Sequence, residues 1–213
     1  MRRVLIAATA CLSLAAAAAH ATTVVDPVGD FVVGYAGAHD ADLDVTSFGV
    51  LFDSGAAVFH LNATFAGTIN PAVTPGFYVI GVNTGAATFP GSFAAIGAPN
   101  VLFNRTISIQ KSGAATLSGN NLTAIINGNA FSLDVPLALL ASTGFAPENY
   151  GFNLWPRGAG TGAAAISDFA PDNATISAAP EPTSWAMLLI GFGALGGLLR
   201  ARRRSAQAPA LRA

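Results

Sequence analysis

The chain has 213 residues, of which 52% are hydrophobic and only 10% are charged. Charge is unevenly spread, because residues 22–179 hold three basic and ten acidic residues, a formal charge of −7. A segment this acidic offers no electrostatic footprint for nucleic acid, which excludes nucleic-acid binding. The single cysteine, Cys11, lies outside it, so the segment has no disulfide, thiolate metal site or cysteine nucleophile.

Residues 1–21 predict a secretory signal peptide. Arg2-Arg3 precedes an apolar run over Val4–Ala19, and Ala19-His20-Ala21 fits the small-x-small rule of signal peptidase. We expect cleavage after Ala21, so that the mature chain begins at Thr22. Two alternatives stay open at this point: an uncleaved anchor helix, and a lipid attached to Cys11.

Residues 22–179 predict an all-β domain, an antiparallel β-sandwich with a jelly-roll-like arrangement. Apolar Phe59, Leu61 and Phe65 alternate with polar neighbours along residues 58–65, a period of two that is typical of a half-buried strand. Arg105 interrupts the apolar face of residues 101–110, which predicts a bulge or strand end there. Turn-forming residues separate the other strand candidates, and one short stretch resembles a helix. Those strand candidates are 43–53, 77–83, 121–127, 130–135 and 150–155, and the helical stretch is 136–142.

Four short segments of this domain resemble the family-9 carbohydrate-binding and DOMON-like jelly rolls. They are the opening Asp26-Pro27-Val28-Gly29-Asp30, the acidic stretch 40–45, and the late segments 135–140 and 151–157. The resemblance implies a sandwich that binds sugar. It does not identify the residues that would stack on the sugar.

Asp40, Asp42 and Asp44 stand at alternate positions, as at the start of a calcium loop. An EF-hand would need glycine and glutamate where this chain has Val45 and Leu51, which excludes that motif.

Asp26 and Asp30 lie nearby in sequence, and all five carboxylates together are candidates for an irregular Ca²⁺ site. The alternative is a solvated strand edge, with Asp42 and Asp44 on one face and their apolar neighbours pointing inward.

Tyr150 and Trp155 are the candidate carbohydrate contacts, because an aromatic face packs on the apolar side of a sugar ring. In the alternative interpretation Trp155 ends a buried strand and closes the bottom of the sandwich. His39 and His60 have no recognisable serine, cysteine or carboxylate partners in sequence, which favours surface positions. We therefore expect no enzyme activity and no cofactor other than calcium, with a secreted hydrolase of unrecognised type as the alternative.

Residues 180–204 have the order of a membrane-sorting tail. Pro180-Glu181-Pro182 and Trp185-Ala186 precede an uncharged stretch over 185–199, which predicts a short transmembrane helix. An arginine cluster follows it and predicts a cytoplasmic end for residues 205–213, with the domain outside. The cluster consists of Arg200, Arg202, Arg203 and Arg204.

This ordered set resembles the PEP-CTERM sorting signal in its PEPxxWA variant. The resemblance implies recognition and cleavage by an exosortase in a Gram-negative bacterium that makes exopolysaccharide. We therefore expect an exported, noncatalytic protein of the cell surface or biofilm matrix. Its expected partners are signal peptidase, the exosortase and the membrane, with exopolysaccharide as a candidate ligand. A calcium-dependent carbohydrate-binding module and a plain C-terminal anchor remain alternatives.

Overall fold

A computed structural model of the chain describes residues 21–72, 75–87 and 91–178, together with positions 191, 193 and 200. Within these ranges the fold is all-β, as predicted. The strands are β1 (Thr22–Val25), β2 (Val45–Asp53), β3 (Val58–Phe65), β4 (Phe77–Asn83), β5 (Arg105–Gln110), β6 (Ala114–Leu117), β7 (Asn120–Thr123), β8 (Ile125–Asn127), β9 (Ala130–Pro136), β10 (Gly151–Arg157) and β11 (Ile176–Ser177). A single helical turn, α1 (Gly91–Ala94), and 3₁₀ turns at Ala41–Leu43, Leu137–Leu139, Pro147–Asn149 and Gly162–Ala165 complete the elements.

The strands form two antiparallel sheets. The first has the order β1-β2-β3-β9-β8 and the second the order β11-β10-β4-β5-β6-β7. Consecutive strands mostly pair within one sheet, and the chain changes sheet after β3, β7 and β9. The arrangement is therefore built largely from hairpins and meanders rather than from the jelly-roll-like connections that the sequence suggested.

The inner faces of the two sheets share one apolar core. The alternation predicted along β3 is confirmed, since Phe59, Leu61 and Phe65 are at most 1% exposed. Aromatic rings join the sheets directly: the Phe65 ring lies 4.5 Å from that of Tyr78 on β4. The period-two pattern therefore places large apolar side chains where the two sheets meet.

A second, smaller apolar cluster covers the outer face of β4 and β10. Trp155 is 3% exposed there and packs against Phe93, Phe103 and Phe169. Gly81 of β4 makes room for the indole, because a Cβ at that position would lie 2.5 Å from the Trp155 ring. Covering both faces explains why β10 is buried almost throughout.

Three predicted elements differ in detail. The strand predicted from residue 43 begins at Val45, because a 3₁₀ turn occupies Ala41–Leu43. The stretch 121–127 forms two strands in different sheets, divided at Ala124, and periodicity does not reveal such a change of sheet. The short helical stretch 136–142 contains only a 3₁₀ turn, consistent with its limited length.

The two predicted membrane-related segments fall mainly outside the described residues. Of the signal peptide 1–21 only Ala21 is described, and of the helix 185–199 only Gly191 and Gly193, which are helical, as is Arg200. Most residues predicted for signal cleavage, sorting and stop-transfer also lie outside the described residues: Ala19, Pro180, Glu181, Pro182, Trp185, Ala186, Arg202, Arg203 and Arg204. No helix among the described residues has the length and apolar character needed to cross a membrane.

Candidate cation site

Five aspartates from the two ends of the described domain lie close together near β1 and β11, the neighbouring edge strands of the two sheets. Asp26 directly follows β1, and Asp30 lies four residues further along the same loop. Asp44 precedes β2, while Asp168 and Asp172 lie between β10 and β11. Residues separated by more than 120 positions in sequence thus share one acidic centre.

The five carboxylates form two triads that share one member. One carboxylate oxygen from each of Asp26, Asp30 and Asp172 lies within 4.8 Å of the other two, and the same holds for Asp30, Asp44 and Asp168. In the first triad Asp30 and Asp172 are exposed, whereas in the second Asp44 and Asp168 are buried. We call these the outer triad and the inner triad.

Backbone hydrogen bonds fix the inner triad. The Gly29 N–H donates to Asp44 Oδ2 over 2.9 Å, and the Val45 N–H donates to Asp168 Oδ2 over 2.7 Å. The Val45 contact joins the start of β2 to a residue 123 positions later. These donors orient the two carboxylates but bring no positive charge to the centre.

Two oxygens of the centre have no hydrogen-bond partner although their side chains are buried. They are Asp26 Oδ2 and Asp44 Oδ1, on residues that are 6% and 4% exposed. Buried polar atoms in proteins nearly always have a partner, and leaving one without costs about 1–3 kcal/mol. No basic side chain among the described residues forms an ion pair with any of the five aspartates. The centre therefore has the oxygen donors for a cation.

Burial and crowding both act on the acidity of these groups. Burial, reinforced by the nearby Asp30, Asp172 and Asp44, raises the pKa of Asp26 to about 7. Burial likewise raises the pKa of Asp168 to about 8, against the effect of its hydrogen bond from Val45. Without a cation, the folded protein therefore favours the protonated forms of Asp26 and Asp168 more than the unfolded chain does.

The donor set fits calcium. All five candidate ligands are carboxylates, which suits a hard cation, and Ca²⁺ binds six to eight oxygens at about 2.3–2.6 Å. Two oxygens that bind the same ion lie at most about 5.2 Å apart by these distances, and the oxygens of each triad meet that condition because they lie within 4.8 Å of one another.

Three of the five aspartates named from sequence belong to this centre, namely Asp26, Asp30 and Asp44. Asp42 does not, because its Oδ2 lies 2.7 Å from Lys111 Nζ in a buried ion pair. Asp40 is in neither triad. The alternative of a solvated edge is wrong for Asp42 and Asp44, which are 5% and 4% exposed.

The sequence-based hypothesis of a calcium site did not include Asp168 and Asp172. A signal for them exists: Asp168-Phe169-Ala170-Pro171-Asp172 repeats the spacing of Asp26-Pro27-Val28-Gly29-Asp30, with a proline between the two aspartates in both cases. Nothing in sequence alone says that the two copies meet, since that depends on which strands lie at the sheet edges.

Tyr150 and Trp155 are too deeply buried for carbohydrate contact. Tyr150 is 0% exposed, its hydroxyl donates to the Leu140 carbonyl, and its ring stacks on Phe59. Trp155 is enclosed by the outer cluster rather than closing the bottom of the main core. Neither ring offers a face to a sugar, so the sequence hypothesis is wrong for both residues.

Three other aromatic rings form a stack at the surface. The Phe31 and His39 rings lie 4.2 Å apart and nearly parallel, with Tyr35 about equally distant from both at 6.0 and 5.8 Å. His39 is exposed, and Phe31 and Tyr35 are half-buried. The stack lies in the loop that also supplies Asp26, Asp30 and Asp44.

His60 also lies at the surface, as the sequence indicated. Its Nδ1 is 2.7 Å from Asp134 Oδ1, across the paired strands β3 and β9.

Comparisons with known proteins identify the far end of the chain. No curated protein and no solved structure is significantly similar to the chain as a whole. Residues 178–204 match the family model described as the PEP-CTERM protein-sorting motif. That motif indicates export and membrane-associated sorting by an exosortase system in Gram-negative bacteria. The chain thus carries a PEP-CTERM sorting motif directly after its β-domain.

Proposed function

We propose that this protein is an exported, noncatalytic component of the cell surface or biofilm matrix, and that its β-domain binds calcium. The sorting motif supports delivery outside the cytoplasm. The observation that carries calcium binding is the pair of buried, unpartnered oxygens, Asp26 Oδ2 and Asp44 Oδ1, within five clustered carboxylates.

Calcium would serve here as a structural ion. The centre joins the loop after β1 to the segment before β11, and β1 and β11 are edge strands of opposite sheets. An ion held by both segments would tie the two ends of the domain together. Millimolar calcium outside a cell would then favour the folded state by mass action, with about 2.7 kcal/mol gained at a hundred times Kd.

A calcium titration of the full-length chain in detergent tests this function. After removal of metal with EDTA, we expect the melting temperature to rise with added Ca²⁺ and to respond less to Mg²⁺, which demands a tighter octahedral site. Asp44→Asn should weaken the response, whereas Asp40→Asn should retain it. A melting temperature indifferent to calcium would refute the function.

Calcium-dependent carbohydrate binding is a second candidate, favoured by the surface stack of Phe31, Tyr35 and His39 beside Asp30. An aromatic face at the surface can pack on a sugar, as the buried Tyr150 and Trp155 cannot. A glycan array with and without EDTA tests it, with Phe31→Ala as the matched variant. Turnover of a glycan in the same assay would instead favour the hydrolase alternative. If no glycan is bound, with or without EDTA, the result would favour a purely structural role.

The export part has its own test. Protein from the native host should begin at Thr22 and should lack its C-terminal segment. Intact-mass measurement reads both ends at once; a chain beginning at Met1 or acylated at Cys11 would contradict the predicted signal peptide.

A further inference from the structure

We propose that the acidic centre holds two Ca²⁺ ions bridged by Asp30, an inner ion between Asp44 and Asp168 and an outer ion between Asp26 and Asp172. This two-ion centre deepens the calcium binding proposed above and rests on it. The inference comes from the division of five aspartates into two separate triads, with Asp30 as the shared member.

Geometry favours two positions over one. Oxygens within each triad lie within 4.8 Å of one another, but the five residues do not form a single group at that spacing. One ion at ordinary Ca–O distances would therefore satisfy one triad and leave the other triad's carboxylates without a cation. A carboxylate has two oxygens, so Asp30 is able to contribute to both positions at once.

The unpartnered oxygens are divided in the same way. Asp26 Oδ2 belongs to a member of the outer triad, and Asp44 Oδ1 belongs to a member of the inner triad. Both side chains are more than nine-tenths buried. A single ion placed in either triad would reach only one of the two aspartates that carry these oxygens, whereas two ions would reach both.

Charge points in the same direction. The five carboxylates carry −5 when ionised, one Ca²⁺ reduces this to −3, and a second reduces it to −1. Among the described residues no lysine or arginine is paired with the centre to supply the remaining positive charge. Repulsion among close carboxylates in a partly buried site is costly, so the second ion relieves a charge that the first leaves behind.

The two positions should differ in exchange. Asp44 and Asp168 of the inner triad are buried and held by backbone donors from Gly29 and Val45. Asp30 and Asp172 of the outer triad are exposed, so the outer ion keeps coordination positions open to water. We expect the inner ion to leave slowly and the outer ion to exchange rapidly.

Stoichiometry measured on the full-length chain tests the two-ion centre. Metal-free protein in detergent is titrated with Ca²⁺ by calorimetry, and bound calcium is counted by equilibrium dialysis. We expect two ions per wild-type chain and one for Asp172→Asn, which changes an exposed residue and should still fold. Asp30→Asn should weaken both Kd values by about tenfold or more, because both positions lose a charged ligand.

Asp40→Asn is the matched control, since Asp40 lies in the same loop but in neither triad, and it should still bind two ions. One ion per wild-type chain would overturn the two-ion centre while leaving calcium binding intact. No bound calcium would overturn both. Equal loss in Asp172→Asn and Asp40→Asn would show that the outer triad is not a ligand set.

Discussion

Lys111 Nζ lies 2.7 Å from Asp42 Oδ2, and the two side chains are only 2% and 5% exposed. The Asn70 N–H also donates to Asp42 Oδ2, over 3.2 Å. The Lys111–Asp42 ion pair joins the 3₁₀ turn before β2 to the residue directly after β5. It therefore links a segment that leads into the first sheet to a strand of the second sheet. It also separates Asp42 from the acidic centre that the neighbouring Asp44 enters.

Asp42→Asn should therefore affect stability rather than calcium binding. Removing the charge of one member of a buried ion pair takes the opposite charge away from its partner and costs roughly 3–5 kcal/mol. Urea denaturation of the full-length chain in saturating calcium measures this loss. Asp134→Asn is the control, because the Asp134 side chain is 71% exposed in its pair with His60 and its loss should cost under about 1 kcal/mol. Wild-type stability together with lost calcium in Asp42→Asn would make Asp42 a ligand.

The metal-free protein should become less stable as pH rises. Asp26 and Asp168 have pKa values of about 7 and about 8 in the folded state, above the ordinary 3.8, so the folded state binds protons more readily than the unfolded state. The stability that protonation of these two carboxyl groups contributes is complete below about pH 4 and is lost as pH rises through about 7 to 8. We expect a lower melting temperature in EDTA at about pH 9 than at about pH 6.5.

Calcium should remove that trend, since an ion replaces the protons that the carboxylates otherwise take up. Tryptophan fluorescence melts with and without calcium compare the four conditions directly. A metal-free melting temperature that rises between the two pH values would show that these carboxylates are already compensated in the folded protein.

Phe131→Ala tests the shared core. Phe131 on β9 is 2% exposed, and its ring lies 5.6 Å from that of Tyr78 on the opposite sheet. Truncation should cost roughly 3–5 kcal/mol, through lost burial and the cavity that remains. Thr106→Ala on β5 changes an exposed side chain and should cost well under about 1 kcal/mol. Equal chemical-denaturation midpoints for the two variants would place Phe131 outside the core.

The alternation of apolar and polar residues predicted the strands well where one face of the strand is buried and the other is exposed to solvent. The alternation in β3 and β9 reports that environment directly. Arg105, where the sequence predicted a bulge or strand end, is the first residue of β5, so the strand predicted over 101–110 is shorter than expected. The same rule gives no information on β10, which is buried on both faces because α1 and Phe103 cover its outer side. Trp155 on this strand therefore looked available to a ligand although tertiary packing encloses it. Tyr150, just before β10, is enclosed by the main core, where its ring stacks on Phe59.

The acidic centre was predicted only in part for a related reason. Asp26, Asp30 and Asp44 are close in sequence, so composition alone suggested a group. Asp168 and Asp172 join them because β1 and β11, at the two ends of the domain, lie at neighbouring edges of the two sheets. Asp42 was misassigned because the Asp spacing of a calcium loop does not reveal that Lys111, distant in sequence, pairs with this carboxylate. The strand edge of the alternative interpretation is absent, since residues 41–43 form a 3₁₀ turn.

The sorting tail provides the last test, through two substitutions with different expected products. Glu181→Ala alters the proline-flanked recognition segment without changing hydrophobicity, so the chain should insert but remain full-length in the membrane fraction. Leu189→Arg places a charge in the predicted helix at a cost of about 2.5–3.5 kcal/mol, so the chain should pass through unprocessed and appear full-length and soluble. Immunoblots of fractionated native-host cells distinguish both from the shortened wild-type form. A wild-type tail that stays intact in a host with an exosortase would show that residues 178–204 act only as an anchor, despite their match to the sorting motif.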